Sequence, residues 1–138
     1  MSTAVFQLLV ATHVAANLVW IGSILSVALA LRAGDLRAGA QIAYELYRKL
    51  AIPAFVVSFV AGVARLSMST HLYFVETKYM HGKLLVALLA IILHHIIGAR
   101  AKAVASGRRS APGPVGVQAF LLFICAVAAT LLVILKPF

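Results

Sequence analysis

The sequence predicts an all-α membrane protein built as a bundle of four spanning helices. Of its 138 residues, 64% are hydrophobic and only 11% are charged, and the mean hydropathy is +1.07. A spanning helix needs about 20 mostly apolar residues, and such stretches lie near residues 4–31, 50–70, 80–99 and 117–135. Strands are not expected, because lipid-exposed backbone must be bonded within a helix or a closed barrel. The four spans use the whole chain, 1–138, as one transmembrane domain.

Basic residues predict the orientation of the bundle. The formal net charge is +9, and residues 32–49 carry four basic and two acidic side chains. Four more basic residues follow the third span: Arg100, Lys102, Arg108 and Arg109. By the positive-inside rule both loops are cytoplasmic, so both termini are expected on the outer side of the membrane. We therefore expect the basic residues to set the orientation of the protein in the membrane, and a nucleic-acid partner is not expected. A binding site for lipid headgroups is the other alternative for these charges.

The first span carries polar groups on one face. His13, Asn17 and Trp20 are spaced at i, i+4 and i+7, so they share one side of a helix. A secretory signal peptide is a poor interpretation, because a basic n-region is missing and these residues interrupt the apolar stretch. Gly34 and Asp35 are predicted to end the span.

The second span is predicted to begin with a cytoplasmic helical lead over 41–50 and to bend near Pro53, which cannot donate a backbone hydrogen bond. One face of this span is small and polar and ends in a cation. It consists of Ser58, Gly62, Arg65 and Ser69.

The third span is the most informative part of the chain. Residues 79–98 are strongly apolar and yet contain His81, Lys83, His94 and His95. An ionisable side chain at the centre of a span costs about 3 kcal/mol on insertion scales, so such residues usually face a bundle interior, a cofactor or a conduit. Lys83 and His94 share one stripe, and His81 lies on another.

The fourth span offers little chemistry, with only Gln118, Cys125 and Thr130 as polar residues. We expect it to close the bundle. The single cysteine excludes an internal disulfide. Residues 106–114 are predicted to form a flexible loop, and residues 136–138 to stop the span at the outer interface.

These residue types together indicate haem b. Two imidazoles at similar depth on facing helices can hold the iron, which favours His13 with His81, and His13 with His94 stays open if the helices tilt. Arg65 and Lys83 could pair the propionates near the outer interface. The other residues expected at the cofactor are Asn17 and Trp20.

The third span resembles the HemJ-type membrane protoporphyrinogen oxidases in two motifs, Y-M-H-G-K-L-L and L-H-H-I-I-G-A-R-A-K. The family reads W-(L/M)-H-x-K-L and Y-H-H-x-x-G-R-x-x-K. Further matches are His13 before Trp20, Leu46-Tyr47 before Pro53-Ala54 and Gly62, and Leu135-Lys136-Pro137-Phe138. The resemblance covers almost the whole chain.

This resemblance implies haem b, oxidation of protoporphyrinogen IX to protoporphyrin IX, and electrons passed towards quinone. It implies functional roles for His13 and His81, and it makes Lys83 and His94 the candidate catalytic residues. A homo-oligomer or a subunit of a membrane complex is the expected assembly.

Two alternative functions remain open. Residues 26–31 read SVALAL where the family has an arginine motif. This difference indicates either a divergent oxidase or a haem-b electron-transfer or anchoring subunit of a respiratory complex. The other alternative is copper handling, as in the similar CopD proteins. Sulfur ligands suit Cu(I), and the candidate residues at the outer face are Met68, His71, Met80 and His81.

Overall fold

The computed structural model describes residues 3–76 and 79–135, and most of them are helical. The α-helices are α1 (Thr3–Ala30), α2 (Leu36–Leu46), α3 (Ile52–Ser67), α4 (Tyr79–Ala105) and α5 (Val115–Leu135). Two π-helical turns accompany them, Tyr47–Ala51 and Leu72–Glu76. The described ranges contain no strand, so the predicted all-α fold is confirmed. The predicted stop at 136–138 lies outside these ranges.

Four helical segments are long and apolar enough to cross a membrane: Thr3–Ala30, Leu36–Ser67, Tyr79–Ala105 and Val115–Leu135. The protein is therefore a multi-pass membrane protein of the expected number of spans. The second segment is longer than predicted because α2, the first π-helical turn and α3 are continuous.

Asp35 explains the early start of the second segment. Its carboxylate accepts hydrogen bonds from the backbone N–H groups of Arg37 (3.0 Å) and Ala38 (3.2 Å). An aspartate at this position satisfies amides that have no partner inside the helix. The chain is thus helical from Leu36, before the predicted lead at 41–50.

Pro53 disturbs this helix where the sequence predicts it. Proline has no N–H, and its ring crowds the carbonyl group four residues earlier, which here belongs to Lys49. The backbone has π geometry over Tyr47–Ala51 and returns to α geometry at Ile52. The effect of the proline is therefore a local change of helix type.

The helices pack most closely at the basic end, which we define as the end formed by residues 31–35 and 106–114. There α2 lies between α1 and α4, and α4 packs against α5. Small side chains let the backbones approach. The fully buried residues at this end include Ile24, Leu31, Ala40, Ala43, Ile97, Ala101 and Leu122.

The bundle is more open at the opposite end, near residues 68–76. Here α1 still packs against α3, but within the described ranges α3 and α4 have at most a marginal backbone contact. A small cluster of Tyr73, Tyr79 and Met80 packs there. The result is a crevice between α3 and α4, and one side of α1 forms its floor.

Candidate functional site

A cavity of about 290 Å³ occupies the crevice between α3 and α4. Most of its lining is apolar, and three basic side chains line it: His13, Arg65 and Lys83. The lining residues Phe59, Val63, Leu84 and Leu88 are also exposed on the outer surface of the bundle. In a membrane the cavity therefore opens sideways towards lipid. No residue of α5 lines it.

Hydrogen bonds fix the His13 ring at the floor of this cavity. Its Nδ1 lies 2.8 Å from the carbonyl oxygen of Ser58, which can only accept, so Nδ1 carries the proton. The lone pair is then on Nε2, which accepts from the Asn17 amide at 3.1 Å. Ser58 Oγ donates to Asn17 Oδ1 at 2.7 Å and orients that amide. The three side chains thus define one tautomer of His13.

Gly62 makes room for the His13 ring. A Cβ atom at this position would lie 2.9 Å from His13 Cε1 and 3.1 Å from Nδ1, closer than carbon atoms normally pack. The small residue predicted on this face of α3 therefore has a steric role.

Two cations converge on the cavity. Arg65 donates from Nη2 to Tyr73 Oη at 3.3 Å, and its guanidinium lies 5.4 Å from the Phe6 ring centre. Its Nε is buried and has no hydrogen-bond partner in the described part of the chain. Lys83 lines the same cavity, and the described ranges offer its ammonium no hydrogen bond. Because like charges repel strongly where the dielectric constant is low, the pair favours an anion between them.

His94 lies in a second polar cluster, outside the cavity. It is fully buried, and the Trp20 indole donates to its Nδ1 at 3.0 Å. An indole N–H only donates, so the neutral ring carries its proton on Nε2, which faces Tyr47 Oη at 3.4 Å. The Phe55 ring stacks on it with centroids 5.0 Å apart. Both nitrogens of His94 are thus engaged inside the bundle.

Gly98 allows Tyr47 to reach this cluster. A Cβ atom at position 98 would overlap the Tyr47 ring. The absence of a side chain therefore lets the ring lie against α4, one turn from His94.

His81 is not among the residues that line the cavity with His13. It is exposed, and its ring lies edge-on to Phe74 with centroids 5.7 Å apart. The structure thus places the two expected axial ligands in different surroundings. The described ranges contain no group of three or more His, Cys, Asp or Glu residues that could hold a metal ion.

The residues considered for copper also make separate contacts. His71 is exposed and bonds Glu76 at 3.1 Å. Met80 is buried against Tyr73 and Tyr79. His71 and Met80 thus lie in separate surroundings, and Met80 also lines the cavity that contains His13.

Sequence reasoning found part of the site and missed part of it. Of the predicted site residues, His13, Arg65 and Lys83 line the cavity, Asn17 supports His13, and Trp20 bonds His94 away from it. Tyr73 and Phe55 were missed. Tyr73 follows the second span, where interfacial tyrosines are common, and this could have indicated it.

Comparisons of this chain with protein-family models, with curated proteins and with solved structures gave no match. The function is therefore inferred from the geometry of the site together with its motifs.

Proposed function

We propose that this protein binds a tetrapyrrole, as haem b or as a porphyrinogen substrate, in the crevice between α3 and α4. One observation carries the proposal: His13, Arg65 and Lys83 enter a single apolar cavity. A tetrapyrrole combines a flat apolar ring with propionate carboxylates, so it matches both the walls and the charges. The motif resemblance to the HemJ-type oxidases of bacterial inner membranes supports the same class of ligand.

The donor set fits haem b with one protein imidazole. Histidines that bind metals usually donate their other ring N–H to a carbonyl or carboxylate, and His13 Nδ1 donates to the Ser58 carbonyl in this way. Its Nε2 would hold the iron once the Asn17 amide turns aside. Bound haem b would supply a centre that accepts single electrons.

Arg65 and Lys83 would hold carboxylates. A guanidinium presents a planar fork that matches a carboxylate, and an ammonium acts as a point charge. Pockets for drug-sized ligands measure about 300–1,000 Å³, and this cavity has about 290 Å³. It can enclose the charged edge of a tetrapyrrole, and the rest of the ring would occupy the lateral opening between the helices.

The corresponding activity is oxidation of protoporphyrinogen IX, with quinone as the final electron acceptor. In this proposal Lys83 binds substrate directly. His94 acts as a positioning residue, because it contacts Trp20 and not the cavity. Trp20 lies on the same face of α1 as Asn17 and His13, so the His94 contact would hold that face in place.

A visible absorption spectrum of the purified protein tests tetrapyrrole binding. We expect a reducible Soret band that is lost in His13→Ala and kept in His71→Ala. His71 is a matched control because it is exposed and lies outside the cavity. A third variant, His81→Ala, tests how many histidines bind the haem iron. Loss of the low-spin bands in this variant would assign His81 as the second ligand.

A colourless protein that gains no Soret band on addition of haem would contradict the haem proposal. So would an unchanged spectrum in well-folded His13→Ala. A coloured protein that binds no copper would exclude the copper alternative, whereas a colourless protein that binds copper would support it.

A further inference from the structure

A second cavity lies at the basic end of the bundle, at the far end of α4 from the tetrapyrrole site. Its volume is about 790 Å³, and it lies between the first turns of α2 and the end of α4. The residues that matter for its chemistry are Leu36, Arg37, Gln41, Val104, Arg109 and Ser110. It therefore combines an apolar wall with two guanidinium groups and the hydroxyl groups of Ser106 and Ser110.

The charges around this cavity are unbalanced. Residues 31–37 and 100–109 contain six basic side chains and one acidic side chain, Asp35. The Asp35 carboxylate is engaged in capping α2. Within residues 3–76 and 79–135, no carboxylate forms an ion pair with Arg37 or Arg109. Two unpaired cations in one concave site favour an anionic ligand.

Hydrogen bonds hold the walls of the cavity. Gln41 Nε2 donates to the carbonyl oxygen of Ala105 at 3.0 Å, which ties α2 to the end of α4. The backbone N–H of Arg109 donates to the Ala103 carbonyl at 3.1 Å and fixes the loop that carries the second arginine. The concavity is therefore part of the fold.

We propose that this cavity binds the phosphate group of an anionic phospholipid, contacted by Arg37 and Arg109. On the predicted orientation it lies at the cytoplasmic leaflet, where anionic lipids are found and where basic pockets between spans bind lipid headgroups. Leu36 and Val104 form the apolar wall beside the arginines, and they would meet the glycerol and upper acyl chain. A soluble phosphate compound could bind the same arginines, but it has no acyl chain to contact the apolar wall.

Native mass spectrometry of the full chain in detergent tests the assignment, with phosphatidylglycerol and phosphatidylcholine as probes. We expect preferential binding of phosphatidylglycerol, and we expect the double variant R37Q/R109Q to weaken it about 30-fold. Each arginine near an anionic lipid surface contributes about 1 kcal/mol, and the loss of about 2 kcal/mol corresponds to this change in Kd. The matched control is R48Q/K102Q, which removes the same charge from exposed residues outside the cavity lining. We expect it to bind within about threefold of the wild type, since screened surface charges contribute little.

The charge-conserving variant R37K/R109K guards against a folding defect, and we expect it to keep most of the binding. Equal weakening in both glutamine pairs would overturn the site in favour of a general charge effect. Equal binding of the two lipids by the wild type would overturn it as well. Displacement of phosphatidylglycerol by inorganic phosphate at the same concentration would overturn the lipid assignment and place a soluble phosphate at these arginines.

Discussion

The buried contact between Trp20 and His94 gives a direct test of what His94 does. Trp20→Phe removes the indole N–H and leaves Nδ1 of a fully buried His94 without a donor. His94→Leu removes the acceptor and leaves the indole N–H unpaired instead. The double variant removes both polar groups, so a double-mutant cycle isolates the energy of their interaction.

The expected coupling follows from the geometry. The two nitrogens are 3.0 Å apart, a normal hydrogen-bond distance. Hydrogen bonds between spanning helices average about 0.6 kcal/mol and reach about 1.7 kcal/mol in such cycles. Because His94 is 0% exposed, we expect a coupling of about 1–1.7 kcal/mol. Each single variant should cost about 1–3 kcal/mol, the penalty of leaving a buried polar group unpaired.

The free energy of unfolding can be measured by titrating the protein in mixed micelles with SDS. Trp20 is the only tryptophan, so far-ultraviolet circular dichroism is the suitable signal for all four proteins. A coupling below about 0.3 kcal/mol, the usual error of additivity, would refute the proposed role of the bond. Loss of haem absorbance in His94→Leu but not in Trp20→Phe would return His94 to the list of candidate iron ligands.

Three further predictions concern Gly98, which lies next to Tyr47, and the cavity residues Gly62 and Lys83. Gly98→Ala should lower the free energy of unfolding by about 1–3 kcal/mol, as overpacking does, and the loss should be smaller in a Tyr47→Ala background; equal losses in both backgrounds would contradict the contact. Gly62→Ala should push the His13 ring from its hydrogen bond with the Ser58 carbonyl and change the haem spectrum, whereas an identical spectrum would count against His13 as a ligand. Lys83→Ala should fail to restore growth of a strain that lacks its own protoporphyrinogen oxidase, while Lys83→Arg restores it. If the intact, haem-loaded protein also fails, electron transfer becomes the better assignment.

The number of spans was predictable because it depends on hydropathy and length alone. Helix boundaries were less so. Asp35 was expected to end the first span, whereas it caps the N-terminus of the next helix. Aspartate is common both in turns and at helix N-caps, so the residue type alone does not distinguish the two. The third span was expected to end near residue 99, but α4 continues to Ala105. Beyond the bilayer core the helix needs no apolar side chains, so hydropathy does not mark its end.

The sequence predicted site residues correctly where they share one face of a helix. The prediction failed where it depended on the depth of a residue along the helix or on its angle around the helix axis. Lys83 and His94 share a stripe, but eleven residues at 1.5 Å each separate them by about 16 Å along the axis, so one small cavity cannot receive both. His81 is two residues before Lys83, about 200° away around the helix. With Lys83 facing the crevice, His81 faces away from it. The floor of the cavity depended on Ser58 of another helix, which periodicity within one span cannot reveal.

The uneven packing of the bundle links its stability to its function. At the basic end, alanines such as Ala40 and Ala101 are fully buried and hold the helices together, so this end supplies most of the packing contacts. At the opposite end, Arg65 and Lys83 bring like charges into a gap between two helices. Such an arrangement destabilises a membrane protein unless an anion neutralises it. The convergence of the two cations on this gap is therefore the observation on which the proposed binding of a carboxylate-bearing tetrapyrrole rests.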